Sequence, residues 1–352
     1  MHERRGETLT WSLCASDWHR DEISRPPVSA DVRKEAVLLV ALMLAACSDR
    51  PASNTPVANS PTTASSISCR LPISISRPQG GPVGAFIDYP SGKVTIDPNG
   101  SSGVYYDAPF SSWLSAPRSS VSPDGSHYAF GGATDVGKPI LHIVDVVGGA
   151  DHPYSLPPEL YSAIGGLDVF EYSNDTIYMG LYGEGYIQAL WAFDIATGVT
   201  KSVGNITGIG AVDGTVAWRG TLNAGDPNAW SWVPGSPTNQ IERLDLRDGT
   251  SQTWLYHPGH LVDVIGVDAA HDPIVRDYAD KRTMELSILT SATAKRSIVS
   301  GSVDTWVGFI SGVAADRHGV WFGGEKGIYL YSDASGLKKV TDQAGTPAGS
   351  CA

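Results

Sequence analysis

The sequence predicts an all-β fold: a β-propeller of four-stranded blades, six to the ring. Three observations lead there. The chain is turn-rich and aromatic-rich, with 39 Gly, 23 Pro and 10 Trp in 352 residues, and its 41% apolar content suffices for a large core. One motif order recurs five times. A short apolar strand leads through a tight polar turn to a second strand, and a variable loop reaches a third strand, a second turn ending in Gly and a fourth strand. Counted at the last residue of that second turn, successive copies lie 49, 51, 44 and 43 residues apart, a spacing that belongs to four-stranded blades.

The first turn is clearest at Val121-Ser-Pro-Asp-Gly-Ser-His-Tyr-Ala-Phe130. It recurs at Glu171–Met179, Ala211–Trp218, Val267–Val275 and Ala314–Phe322. Asp-Gly and Asn-Asp supply the backbone conformations that a tight hairpin needs. Asp124, Asp213 and Asp316 are read as turn residues on that account. The second turn reads Ile143–Gly149, Ala192–Gly198 and Arg243–Gly249, with weaker copies at Ser287–Thr293 and Tyr329–Gly336. The blades are therefore expected at 118–156, 164–204, 207–257, 260–300 and 305–341. Strand-like runs at Gly84–Tyr89, Lys93–Asp97 and Val104–Tyr106 make a sixth blade, alone or shared with the C-terminal strands. The folded domain as a whole is expected to span 69–352.

Ser122-Pro-Asp-Gly125, Tyr128-Ala-Phe130 and Ile143-Val-Asp145 together resemble the TolB-type propeller repeat, a periplasmic relative of the Trp-Asp repeat. Only this blade matches closely. The resemblance covers Ser119–Thr341 in weakening form, and it implies a fold without implying catalytic residues.

Ahead of the propeller, Met1–Asp31 is mixed and polar with no period, and is expected to be an upstream extension before a start at Val32. Arg33 and Lys34 then precede an uncharged apolar run, Ala36–Leu44, too short to span a bilayer. That is the layout of a signal peptide, 32–46. Leu44-Ala45-Ala46-Cys47 is similar to the lipobox of bacterial lipoproteins. The resemblance implies that Cys47 is lipidated and becomes the mature N-terminus, on the extracytoplasmic side of the membrane. Ser48–Ser68 lacks aromatics, so 47–68 reads as anchor and disordered tether. Of the four cysteines, Cys14 precedes the cleavage site and Cys47 carries lipid. Cys69 and Cys351 remain, one at each end of the folded part, and a disulfide between them is expected in an oxidising compartment.

The formal net charge is −12, and the first 46 residues, with six basic and seven acidic side chains, barely alter it. An acidic surface repels phosphate backbones, so nucleic acid is not an expected partner. The sequence holds no Gly-x-Ser-x-Gly, His-Glu-x-x-His or Walker loop. The repeat order places the first and third turns of every blade at one end and the longer loops at the other. The loop end collects Tyr186, then Asp226, Trp230 and Trp232 in the insertion Thr221–Gln240, then His257, His260 and Asp277. Trp230 and Trp232 have period-two spacing, so an extended segment presents both indoles to one side, where they suit stacking on a sugar ring or a peptide side chain. Two His three apart beside Asp263 have ligand chemistry for a divalent ion, but the pattern is too sparse to assign a metal or any other cofactor. The expected function is a lipid-anchored binding or scaffolding module for an envelope protein or glycan. The competing expectation is a propeller enzyme, of glycoside hydrolase, lyase or cyclase type, with an acidic site at the central opening.

Overall fold

The computed structural model describes residues 68–352, except 78–79, 102, 135–136, 162–166, 184–185, 205–207, 223–237, 281 and 303–309. The segment expected as a signal peptide, Cys47 and the expected tether as far as residue 67 lie outside the described residues. So do Asp226, Trp230 and Trp232.

Six small antiparallel sheets form a six-bladed β-propeller. The first blade contains β1 (Cys69–Ile75), β2 (Val83–Tyr89) and β3 (Lys93–Ser101). A separate hairpin follows, β4 (Tyr105–Asp107) with β5 (Ser112–Leu114). The second blade holds β6 (His127–Ala133), β7 (Pro139–Asp145) and β8 (Asp151–Ser155); the third, β9 (Leu167–Ser173), β10 (Thr176–Gly183), β11 (Tyr186–Asp194) and β12 (Thr200–Gly204). Next come β13 (Ile209–Asp213), β14 (Val216–Thr221), β15 (Gln240–Asp245) and β16 (Ser251–Tyr256). The fifth blade is β17 (Leu261–Val267), β18 (Pro273–Tyr278), β19 (Thr283–Ser291) and β20 (Ala294–Ser302). The sixth is β21 (Ile310–Asp316), β22 (Gly319–Gly324), β23 (Gly327–Ser332) and β24 (Gly336–Thr341). A final short strand, β25 (Thr346–Pro347), pairs with β1.

That last pairing decides how the ring closes. The sheet order β25-β1-β2-β3 means that the C-terminal segment supplies the innermost strand of the first blade. The sixth blade foreseen in the sequence is thus shared between the two ends of the domain. Pairing runs on past β25: Ala348 N donates to Pro72 O at 2.9 Å, and Arg70 and Ala352 exchange backbone hydrogen bonds at 2.9 and 3.2 Å. Cys69 and Cys351 are bonded there, with Cα atoms 5.5 Å apart.

The blade that best fits the repeat is also the least regular. Its innermost position is reduced to a 3₁₀ turn, Arg118–Ser120, and a single bridge, Val121 to Tyr128. Val104–Tyr106 was expected among the blade strands. It instead contributes to the β4–β5 hairpin, because Tyr106 and Trp113 pack together on Phe86 of β2 rather than extending a sheet. Gly84 allows this approach, since a Cβ there would lie 2.4 Å from the Trp113 ring.

Apolar side chains alternate along the strands and meet between blades. Leu141 and Ile143 pack against Ile177, Met179 and Phe193; Ile274, Leu286 and Ile288 pack against Val320 and Phe322. Leu71, Ile73, Ala85 and Ile87 meet Trp321, Ile328 and Leu330 across the closure. Each blade therefore buries its faces on its neighbours, which is why the repeat is needed for stability. Among the described residues no helix is long and apolar enough to cross a membrane.

Candidate functional site

The best-formed polar site lies at the loop end, where the fourth blade passes to the fifth. Leaving β16, the chain turns through His257-Pro258-Gly259-His260 and enters β17. Pro fixes φ at the second position and Gly259 takes φ +74° at the third, the pattern of a type II turn. His260 N donates to His257 O at 3.2 Å and closes it. The turn brings the two imidazoles together, with ring centroids 4.4 Å apart.

The third member comes from β18. Val275 and Asp277 lie two residues apart on one side of that strand, so Asp277 takes a core-facing position. Its side chain is 4% exposed, against 37% for His257 and 31% for His260. A buried carboxylate needs partners for both oxygens. Asp277 Oδ2 lies 2.5 Å from His257 Nδ1, and Oδ1 lies 2.6 Å from His260 Nδ1.

Asp263, which the sequence placed beside the two histidines, is engaged elsewhere. It sits directly across from Arg276 in the β17–β18 register. Arg276 Nε and Nη2 donate to its two oxygens at 3.0 and 2.5 Å. The acid that completes the cluster is therefore Asp277, for which the legible signal was a carboxylate at a core parity of a strand.

The foot of the long insertion is tied to the same connection. Val262 N donates to Thr238 O at 2.8 Å, and Thr238 Oγ1 donates back to Val262 O. His257 N donates to Asn239 O at 3.0 Å, and Asn239 N to Thr221 O at 3.0 Å. Both ends of the 221–240 insertion thus stand beside the histidine turn. Of the other loop-end candidates, Tyr186 opens β11 opposite Gly183. Beyond β18, Asp280, which the sequence reading did not single out, caps its own loop, accepting from Arg282 N at 2.6 Å and Thr283 N at 2.7 Å.

A second group of charges occupies the turn end, and its acid was not singled out from sequence. Glu171, in the innermost strand of the third blade, is pushed up to about 7. Burial is the main cause and the nearby Asp213 carboxylate adds to it, while Arg118 and the Gly214 N–H pull the other way. Asp213 also pairs with His271 Nδ1 at 2.7 Å, so it does more than shape its turn. Asp124 is a turn residue: it accepts from Ser126 N at 3.0 Å and Ser122 Oγ at 2.7 Å, and these bonds hold it down to about 2. The remaining hairpin histidines have local partners. His127 meets Asp145 at 3.1 Å, and His142 meets Asp151 at 2.9 Å while stacking on Phe130.

No family model and no curated protein matches this chain. Solved structures do. TolB from Acinetobacter baumannii is 13% identical with a TM-score of 0.48, over 80% of this chain and 67% of that one. The β-propeller domain of the trilobed protease from Pyrococcus furiosus, described as having an open velcro topology, is 13% identical with a TM-score of 0.43, over 76% and 79%. An oligogalacturonate lyase in complex with manganese is 12% identical with a TM-score of 0.45, over 75% and 71%. At these identities the likeness is one of fold, and neither ligands nor reactions transfer with it.

Proposed function

We propose that the protein is a lipid-anchored, extracytoplasmic β-propeller that binds an envelope protein or glycan at its loop end. One observation carries the reading: the foot of the 221–240 insertion, the 257–260 turn and the end of β18 converge on one place from two adjacent blades. Rigid strands position the convergence, and both feet of the 221–240 insertion are tied into it by backbone hydrogen bonds. That is the arrangement in which loops recognise a ligand and the scaffold fixes them. The anchor at Cys47 supplies the location, and the acidic surface disfavours nucleic acid.

The test is replacement of both indoles, Trp230→Ala with Trp232→Ala. Binding to envelope glycans or cell-wall fragments should weaken by about 1–3 kcal/mol, the usual worth of an interface aromatic, with the melting temperature retained. A double variant that melts early and binds in proportion would assign the indoles to packing and remove this loop from the reading.

Glu171 favours a second reading, an enzyme. A carboxyl held near neutrality on an innermost strand suits general acid chemistry, with Asp213 as its ionised neighbour. Turnover of an envelope glycan that disappears in Glu171→Gln, while loop-end variants keep it, would establish this reading in place of the first.

A further inference from the structure

We propose that His257, His260 and Asp277 form a binding site for a divalent transition-metal ion, with zinc as the test case. The site stands on its own geometry and does not depend on what the loop end recognises. One ligand atom from each residue, a ring nitrogen of each His and a carboxylate oxygen of Asp277, can be chosen so that all three lie within 4.8 Å of one another. Two imidazoles and one carboxylate are a donor set suited to zinc or ferrous iron.

Three further features suit a metal. The ligands are preorganised: a Pro-Gly turn fixes the spacing of the two His, and Asp277 projects from a strand paired on both sides. The charge is right, because a dication placed against the buried Asp277 carboxylate compensates the anion that the two imidazoles now contact. There is also a way in, since both His are about one-third exposed while Asp277 closes the floor.

Binding requires a small rearrangement. The present Nδ1–O separations of 2.5 and 2.6 Å are those of hydrogen bonds. Metal–ligand bonds of about 2.0–2.2 Å at tetrahedral angles set neighbouring ligand atoms about 3.3–3.6 Å apart, so the turn would lift slightly from β18. For Nδ1 to take the metal, the proton between it and Asp277 must pass to solvent, the ring ending as the Nε2–H tautomer. Acid that protonates the rings would compete with the metal. Three protein ligands leave at least one coordination position for water or an exogenous oxygen donor.

The experiment uses the full chain after chelator treatment. Zinc is titrated by calorimetry, and cobalt(II) by its visible d–d absorption. One equivalent of each is expected, with tetrahedral cobalt bands and a rise in melting temperature with zinc. His260→Ala and Asp277→Asn should each lower affinity by at least ~10-fold. His142→Ala, at another His–Asp pair, should leave it unchanged. X-ray absorption of the zinc-loaded wild type should show two imidazoles, a readout that does not require the Asp277 variant to fold. The proposal is overturned if the wild type takes up no stoichiometric metal at micromolar concentrations. Undiminished uptake by a His257→Ala, His260→Ala double variant would overturn it equally.

Discussion

Replacing Cys351 by Ser opens the covalent link that the Cys69–Cys351 disulfide makes across the ring closure. The bridge joins residues 282 apart, so it encloses nearly the whole propeller. In the chain-entropy model a loop of that length removes about 19 cal/mol/K from the denatured ensemble, or roughly 5–6 kcal/mol at 25 °C. The realised loss should be smaller, about 2–5 kcal/mol, because a compact denatured state is already constrained. The native fold also keeps other closing contacts. The Arg70–Ala352 and Ala348–Pro72 backbone bonds remain, as does the bond from Cys351 N to Asp316 Oδ2 at 2.8 Å. The Cys351→Ser protein should therefore fold with its blades intact and melt on the order of 5–15 °C lower. Calorimetry at matched scan rates should compare oxidised wild type, reduced wild type and the Cys69→Ser, Cys351→Ser double variant, the last two coinciding. Hydrogen exchange should quicken at Ala348 and Ala352 while the third blade stays protected. Free thiols in the oxidised protein, or melting curves that superimpose with and without the bridge, would refute the latch.

Other outcomes follow from particular contacts. Asp316→Ala should cost about 1–3 kcal/mol in urea unfolding, because it strands the indole N–H of fully buried Trp321, now 2.9 Å from Oδ2, and releases Cys351 N. Glu171 holds its proton in the folded state up to about 7, whereas the unfolded carboxyl loses it near 4.5. The folded state thus binds the extra proton between those values, and this group's contribution to stability falls as pH rises through that window. Melting temperatures from pH 5 to 8 should show the decline in wild type and less of it in Glu171→Gln; equal slopes would contradict the buried acid. Mass spectrometry of membrane-extracted protein should find Cys47 as a lipidated N-terminus, and Cys47→Ala should release the protein from membranes. Unchanged membrane association of that variant would rule the anchor out.

The propeller was legible because its signals are local and periodic. Asp-Gly turns, alternating apolar strands and near-constant spacing mark each blade without knowledge of its neighbours. The closure was legible only as alternatives, since β25 is two residues long and becomes a strand through β1, far away in sequence. The β4–β5 hairpin escaped for the opposite reason. Tyr105–Asp107 has strand propensity, but Trp113 and Phe86 decide where it packs. At the site, His257 and His260 stood out as a pair, and Asp277 as a member of the same end. Which acid faces them depends on strand register, and register gives Asp263 to Arg276. Glu171 carried no sequence signal, because its shifted acidity arises from burial and from Asp213 of the next blade.

The central claim is that function resides at the loop end of the fourth and fifth blades. The most direct measurement is binding to an array of envelope glycans and cell-wall fragments by four proteins: wild type, Trp230→Ala with Trp232→Ala, His257→Ala with His260→Ala, and the turn-end variant Asp213→Asn. A ligand bound by wild type and by Asp213→Asn, and at least ~5-fold more weakly by the indole variant, is the predicted result. Ligand binding lost in Asp213→Asn and retained in both loop-end variants would place the functional face at the opposite end of the propeller and contradict the account.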